Sequence, residues 1–231
     1  METFFSFITI SANLNELLHT RRSTLSIINK LNLRSYNLIY IISKTASRNN
    51  KNKIDNLKNS KNTYVCLDNN EGIYNALNIG IERSLELNST HICFINGGDK
   101  LEKGFIKSFQ ICIRNPNAII GGKERVVYKD SGRKNTFYEG GRPIWSINHQ
   151  GSIYPATVFR ENKYLSFLKI SADWHFNYNL RKKCQFIKHK SIVACFDYST
   201  GISQSVNLSQ LLLLDEIKVI KKYFFKPHYF F

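Results

Sequence analysis

Two short acidic motifs are the places where this sequence could do chemistry. The first is Asn96-Gly97-Gly98-Asp99. It follows an apolar run, THICFI (90–95), and its glycines let the backbone turn sharply and approach a ligand closely. The carboxylate of Asp99 would then project from a strand end, where an oxygen ligand suits Mg²⁺ or Mn²⁺ bridging a diphosphate. An ordinary Gly-Asp turn fits the same residues. The second motif is Ala172-Asp173-Trp174 in ISADWHF. Asp173 there is either a first-turn acid favoured by a helix dipole or a general base that takes a proton from an attacking hydroxyl. His149-Gln150, in the loop RPIWSINHQG, could touch a phosphate or an acceptor hydroxyl; a surface loop histidine is the plain alternative. The sequence holds no G-x-S-x-G, P-loop, H-E-x-x-H or G-x-G-x-x-G, which leaves hydrolase, NTPase, zincin and dinucleotide-binding readings without support.

The elements that must position these groups can be read from hydrophobic period. FFSFITI (4–10) and YNLIYII (36–42) are short apolar runs, and between them Leu14, Leu17, Leu18, Leu25 and Ile28 recur at helical spacing. Residues 43–62 are Asn, Lys and Ser with few apolar positions, and read as a mobile loop or a loosely held helix. TYVCL (63–67) predicts a third strand, IYNALNIGIERSLEL (73–87) a helix, THICFI a fourth strand, GFIKSFQICI (104–113) a helix and NAIIGG (117–122) a strand. Strand and helix in this alternation predict a mostly parallel sheet flanked by helices, with ligands at the carboxyl ends of the strands, where DNNEG (68–72) and NGGD fall. Further on, ERVVYKD, NTFYEG and GSIYPATVFR predict strands, ADWHFNYNLRKK (172–183) a helix, and QFIKHKSIVACFDYS a strand pair or one bent strand. Residues 207–223 predict a last helix before the basic aromatic tail FFKPHYFF.

The 231 residues suit one domain with a core of its own: 42% are hydrophobic and 22% charged. The net charge of +16 favours anionic partners, whether nucleic acid, lipid headgroups or phosphorylated substrates. Five cysteines in apolar surroundings, none in a C-x-x-C pair, predict free thiols and a reducing compartment. METFFSFITI lacks a basic n-region and no apolar run reaches the roughly 20 residues of a membrane span, so neither a leader nor a spanning helix is expected.

Taken in order, GIYNALNIGI (72–81), FINGGD (94–99), HQG (149–151), KISADWHF (169–176) and STGIS (199–203) resemble the motifs of family 2 glycosyltransferases. The nearest likeness is the branch that builds bacterial surface polysaccharides, including the colanic-acid type. FSFITIS and ELLHTRRS are similar to that family's first strand and helix. The resemblance implies a GT-A fold: a Rossmann-like nucleotide-sugar half (about 1–122), a smaller acceptor half (about 123–206) and a C-terminal helical tail (207–231). It also implies inverting transfer from a nucleoside-diphosphate sugar to a saccharide acceptor, polyprenyl-diphosphate-linked in such pathways. Asp173 would be the base, and Asp99 would hold one Mn²⁺ or Mg²⁺ with the donor diphosphate. The donor would lie against Thr9 and Ser11, Ser43, Asp68 and Asn70, Gly72, Tyr74 and Asn78, Asn96 and Gly98, with His149 and Gln150 opposite.

The sequence departs from the family pattern where Ser43, Asn70 and Asn75 stand in place of acids, and Arg48 stands near another. These changes suit either help from cations such as Lys44 and Arg48 or an inactive scaffold. The alternation of cations and aromatics in IKVIKKYFFKPHYFF suits either an anionic membrane surface, which would put a cytoplasmic protein at the inner face of the plasma membrane, or a helix packed on the domain with a frayed, soluble end. A nucleic-acid-binding module is the rival that charge alone permits, but no nucleic-acid motif accompanies it.

Overall fold

The computed structural model describes residues 3–127, 134–136 and 144–197, with Glu216 and Lys218. The chain opens with β1 (Phe5–Ser11), α1 (Leu14–Leu31), β2 (Tyr36–Ser43), α2 (Lys44–Asn49), α3 (Lys51–Lys58), β3 (Thr63–Asp68), α4 (Ile73–Glu86) and β4 (His91–Phe94). β5 (Lys100–Leu101), α5 (Phe105–Arg114), β6 (Ile119–Val127), β7 (Lys134–Thr136), β8 (Ile153–Pro155), α6 (Ala172–Leu180) and β9 (Phe186–Asp197) follow, with a 3₁₀ turn at Ala156–Phe159.

Among the described residues nine strands join one sheet in the order β3-β2-β1-β4-β8-β6-β9-β5, and β7 pairs with β6. β1 to β4 are parallel to one another. Beyond β4 the sheet is mixed: β8 runs antiparallel to both β4 and β6, while β6 and β9 are parallel with register shifts between Gly121 and Glu124. β1 and β2 are buried on both faces, as parallel strands under helices must be. Their residues alternate between two cores. Ile8, Ile10, Ile39 and Ile41 pack with α4 and with residues from Tyr154 to Phe186. Phe5, Phe7, Leu38 and Tyr40 pack on the other face with α1, α3 and α5.

Local chemistry fixes the ends of these elements. The side chain of Asn13 accepts from the Asn15 N–H (2.9 Å) at the start of α1, and Asn32, at φ 53°, ends it in the left-handed conformation that Asn tolerates. Residues 44–58, expected as a loop or loose helix, form two short helices. The Ser43 hydroxyl accepts from the Ala46 N–H (3.2 Å) and starts the first, and only Ala46, Ile54 and Leu57 are buried, which is why the apolar signal is faint.

Other differences lie in the second half. NAIIGG and ERVV fuse into the single strand β6, and β9 is one strand with an irregular register. GSIYPATVFR keeps only three residues in a strand before its 3₁₀ turn, and α6 stops at Leu180. The two-residue β5 is too short to leave a period in the sequence. The YKD end of ERVVYKD, FYEG, STGIS, all of the 207–223 helix except Glu216 and Lys218, the aromatic tail and the boundary at 206 lie outside the described residues. All five cysteines are free. Among the described residues no helix is long and apolar enough to cross a membrane.

Candidate active site

The ends of the parallel strands converge on a cavity of about 670 Å³, within the range of small-molecule sites. Ser11 closes β1, Ser43 closes β2, Asp68 closes β3 and Asn96 follows β4; all four line it, as does the start of α4 with Gly72 and Tyr74. The opposite wall comes from Glu124 on β6, the loop residues Asn148, His149 and Gln150, and Lys169, Ile170 and Asp173 around the start of α6. Asp99 lines the cavity as well, so the two acids singled out in the sequence share one space.

Asp99 is held by the turn that carries it. Gly97 donates its N–H to the Ile10 carbonyl (2.8 Å), and a Cβ at this position would lie 2.3 Å from the Ser11 hydroxyl oxygen. Gly98 has φ +93°, a conformation glycine adopts freely. One glycine therefore permits a close approach and the other a backbone reversal. The Asp99 carbonyl accepts from Thr20 (2.7 Å). Its carboxylate oxygen Oδ2 accepts from the Gln150 side-chain amide (2.6 Å), while the Gln150 carbonyl oxygen accepts from the Asn96 N–H (3.0 Å). Gln150 thus braces both ends of the motif.

His149 does the same for the other acid. Its Nδ1 lies 3.1 Å from Asp173 Oδ2, and a carboxylate can only accept, so Nδ1 carries the proton. The remaining ring nitrogen, Nε2, is buried and unpartnered beside the cavity. The single proton of Tyr74 Oη is shared between Asp173 Oδ1 (3.0 Å) and the Ile170 carbonyl (2.8 Å). Burial pushes the Asp173 carboxyl up, but His149, through hydrogen bonding and charge, together with Tyr74 and the Trp174 N–H, outweighs this and holds it below the ordinary carboxylate range. Tyr74 is driven the other way, by burial and then by the Asp173 charge, and remains a donor. The Asp173 side chain keeps about a fifth of its surface open (21%).

Three residues expected against the donor do not line the cavity. Thr9 is buried in β1 on the Phe5 and Phe7 face, because side chains alternate along a strand. Asn78 sits one turn too far along α4 and is spent on the Tyr164 backbone, donating to its carbonyl (2.9 Å) and accepting from its N–H (3.0 Å). Gly98 turns away towards Glu16, and Gly97 lines the cavity in its place. Lys44 and Arg48 are exposed on α2 and not among the lining residues; Lys169 is the lining cation among the described residues. Glu16, Glu124, Asn148 and Lys169 also line the cavity; all four lie inside segments picked out in the sequence, but none is given a role there.

Five carboxylates face this space (Glu16, Asp68, Asp99, Glu124 and Asp173). Among the described residues no three His, Cys, Asp or Glu side chains form a metal cluster. Asp99 fits a divalent ion as a single carboxylate, the arrangement in which Mg²⁺ takes its other ligands from substrate phosphates and water. Asp68 Oδ1 and Asn96 Oδ1, like His149 Nε2, are buried without partners. Leaving such atoms unpaired costs roughly 1–3 kcal/mol each, a cost that a polar ligand in the cavity would relieve.

The chain is 34% identical over 87 residues to the dTDP-rhamnosyl transferase RfbF of Shigella flexneri, a match over 38% of this chain and 27% of that protein. In fold it matches TarS of Staphylococcus aureus, solved with UDP and with UDP-GlcNAc, at TM-scores of 0.64 and 0.65 and 12% identity. The TarS matches cover 92% of this chain and 65–66% of the TarS segment, so the chain spans less than two thirds of each of these relatives' length. A putative glucose-1-phosphate thymidylyltransferase of Bacillus anthracis shares the fold at TM-score 0.52 and 11% identity, covering 92% of this chain and 94% of that one. No family model matches the chain. The α/β architecture matches GT-A structures such as TarS, and over 87 residues the sequence is similar to a bacterial glycosyltransferase.

Proposed function

We propose that the protein moves a sugar from a nucleoside-diphosphate sugar to a hydroxyl of a saccharide acceptor in the synthesis of a bacterial surface polysaccharide, with inversion at the anomeric carbon. The observation that carries this reading is Asp173, fixed by Tyr74 and His149 at the wall of a cavity built from strand ends. A hydroxyl becomes a good nucleophile when a positioned base takes its proton. Nucleotidyl transfer, the chemistry named for the Bacillus relative in fold, would use a phosphate nucleophile that is already ionised and needs no such base.

In the proposed step the acceptor oxygen bonds to the anomeric carbon as the bond from that carbon to the phosphate oxygen breaks. The electron pair leaves with the nucleoside diphosphate and the hydroxyl proton passes to Asp173. His149, whose ring lines the cavity, would hydrogen-bond a sugar hydroxyl through Nε2. Asp68 Oδ1, unpartnered at the end of β3, suits the ring N–H of a pyrimidine base. The names and bound ligands of the relatives put thymidine and uridine diphosphate sugars first among donors. Five carboxylates against one lysine would repel a diphosphate, which supports an Mg²⁺ or Mn²⁺ ion held by Asp99. Such an ion, when bound, offsets the charge that gathers on the leaving group. A lipid-linked acceptor at the inner membrane face rests on the basic aromatic tail.

The test is thermal stability with a panel of nucleotides and nucleotide sugars, with and without Mn²⁺ or Mg²⁺, because a ligand that binds only the folded state raises the melting temperature. Release of nucleoside diphosphate with an acceptor would then be assayed. A metal-dependent rise followed by turnover supports the reading. A rise without any turnover would favour an inactive scaffold, the alternative that Ser43, Asn70 and Asn75 motivate. Release of pyrophosphate from a nucleoside triphosphate would instead mean nucleotidyl transfer. No rise, with salt-sensitive binding to random DNA, would move the protein to the nucleic-acid class.

A further inference from the structure

Glu216 belongs to none of the site motifs and lies more than forty positions from the turn that precedes the proposed base, yet it is buried against that turn, at 7% exposure. Its carboxylate accepts from three successive backbone N–H groups. These are Lys169, Ile170 (3.0 and 3.2 Å to its two oxygens) and Ser171 (2.8 Å). The Ser171 hydroxyl also donates to it. Ser171 stands at the N-cap of α6, where serine ordinarily accepts from a helix N–H, but here it makes no such bond. Its hydroxyl has been given over to Glu216.

The same turn is gripped from its other side. The Tyr74 Oη proton is shared between the Ile170 carbonyl and Asp173 Oδ1. Ile170 is therefore clamped twice, through its N–H by Glu216 and through its C=O by the tyrosine that also holds Asp173. Only Ala172 separates Ser171 from Asp173, so the direction in which α6 leaves this turn sets where the carboxylate of Asp173 points. Hydrogen bonds to an ionised acceptor are among the stronger ones a protein makes, and several on one carboxylate fix the backbone closely.

We propose that Glu216 is a positioning residue for Asp173: it fixes the 169–171 turn so that the base meets the acceptor hydroxyl at the reacting distance. The proposal rests on the reading of Asp173 as the base. Activity would then depend on a residue that carries none of the chemistry and belongs to none of the site motifs.

The experiment uses the full chain with Glu216→Ala and Glu216→Gln. It measures kcat, donor KM and hydrogen exchange at the amides of 169–173. For Glu216→Ala the expected result is a kcat lowered roughly 10–100-fold, the scale of a misplacement near 1 Å, with donor KM within about twofold. Exchange at Ile170 and Ser171 should be faster, and Glu216→Gln, which keeps one accepting oxygen, should fall between the two. A wild-type kcat in Glu216→Ala alongside faster exchange would reduce Glu216 to a structural tie and overturn the proposal. Unchanged exchange would overturn the contact itself. If the alanine variant does not fold, the glutamine variant decides on the same readouts. A wild-type protein that binds nucleotide sugars but turns none over would bring down the transfer reading and this proposal together, while the exchange data would still report whether the tie exists.

Discussion

From Phe5 to Phe94 the chain lays down four parallel strands in unbroken register, and what this half brings to the cavity is mostly strand ends: Ser11, Ser43, Asp68 and Asn96. From Ile119 to Asp197 the pairing is mixed, β8 has three residues, and this half brings side chains from turns and a helix start: His149, Gln150, Lys169 and Asp173. The first half places its groups by sheet geometry, which needs only periodic burial. The second places them by individual hydrogen bonds, which have to reach across to the first. Gln150 braces Asp99 from the other half, and Tyr74 on α4 braces Asp173. Neither acid is oriented by its own half alone.

The largest expected effects separate what each half supplies. Asp173→Asn should lower turnover by about 10²–10⁴-fold, the usual worth of a general base, while nucleotide sugars still raise the melting temperature. Asp99→Ala should abolish the metal-dependent part of that rise. Full activity in either variant would mean that its acid does not have the role assigned to it. Next in size are variants at His149. His149→Ala should lower kcat by roughly 10–100-fold through a loosened base. His149→Asn keeps a donor near the position of Nδ1 and should recover part of the loss. Equal loss in both would shift weight from Nδ1, which holds Asp173, to Nε2, which is unpartnered.

A stability effect comes third and belongs to the first half. Gly97→Ala places a methyl group 2.3 Å from the Ser11 oxygen and 3.1 Å from the Ile10 carbonyl. Overpacking of this kind costs about 1–3 kcal/mol and should lower the melting temperature, with donor binding weakened because Ser11 and Asn96 shift with the turn. A variant as stable as wild type would show that the end of β1 can move aside, and that this half is less rigid than its register implies.

The same contrast explains what could be read from the sequence. Phe5–Ser11, Tyr36–Ser43 and Ile73–Glu86 were legible because burial on a sheet or helix face leaves a period in the residues. The two acids were legible as motifs, and as a pair through a family resemblance. The braces were not. Gln150 and Asp99 lie 51 positions apart, and His149 and Asp173 lie 24 apart, so no local pattern links them. Asn78 misled for the converse reason: it shares the helix of Tyr74, but a difference of four residues moves it along α4 to the Tyr164 backbone. Glu216 could be found only once the turn before α6 was folded.

The smallest expected effect bears on the bond that joins the halves. Tyr74→Phe removes the one hydroxyl proton shared by Asp173 and the Ile170 carbonyl, a hydrogen bond worth about 0.5–1.5 kcal/mol. Asp173 sits below the ordinary carboxylate range despite its burial because His149 and Tyr74 favour the charged form. Losing Tyr74 must therefore raise its pKa. The proposed base works deprotonated, so the acid limb of the kcat profile should move to higher pH in Tyr74→Phe. Stability responds with the matching sign. A carboxyl depressed in the folded state stabilises it above the ordinary aspartate value of about 3.9, and that contribution is lost as pH falls through the folded pKa. With the depression reduced, Tyr74→Phe should lose less stability than wild type as pH falls from the ordinary aspartate value through the folded pKa of Asp173. An acid limb that stays in place would mean that His149 alone sets the charge of Asp173, and that the first half of the molecule contributes the site's location without tuning its base.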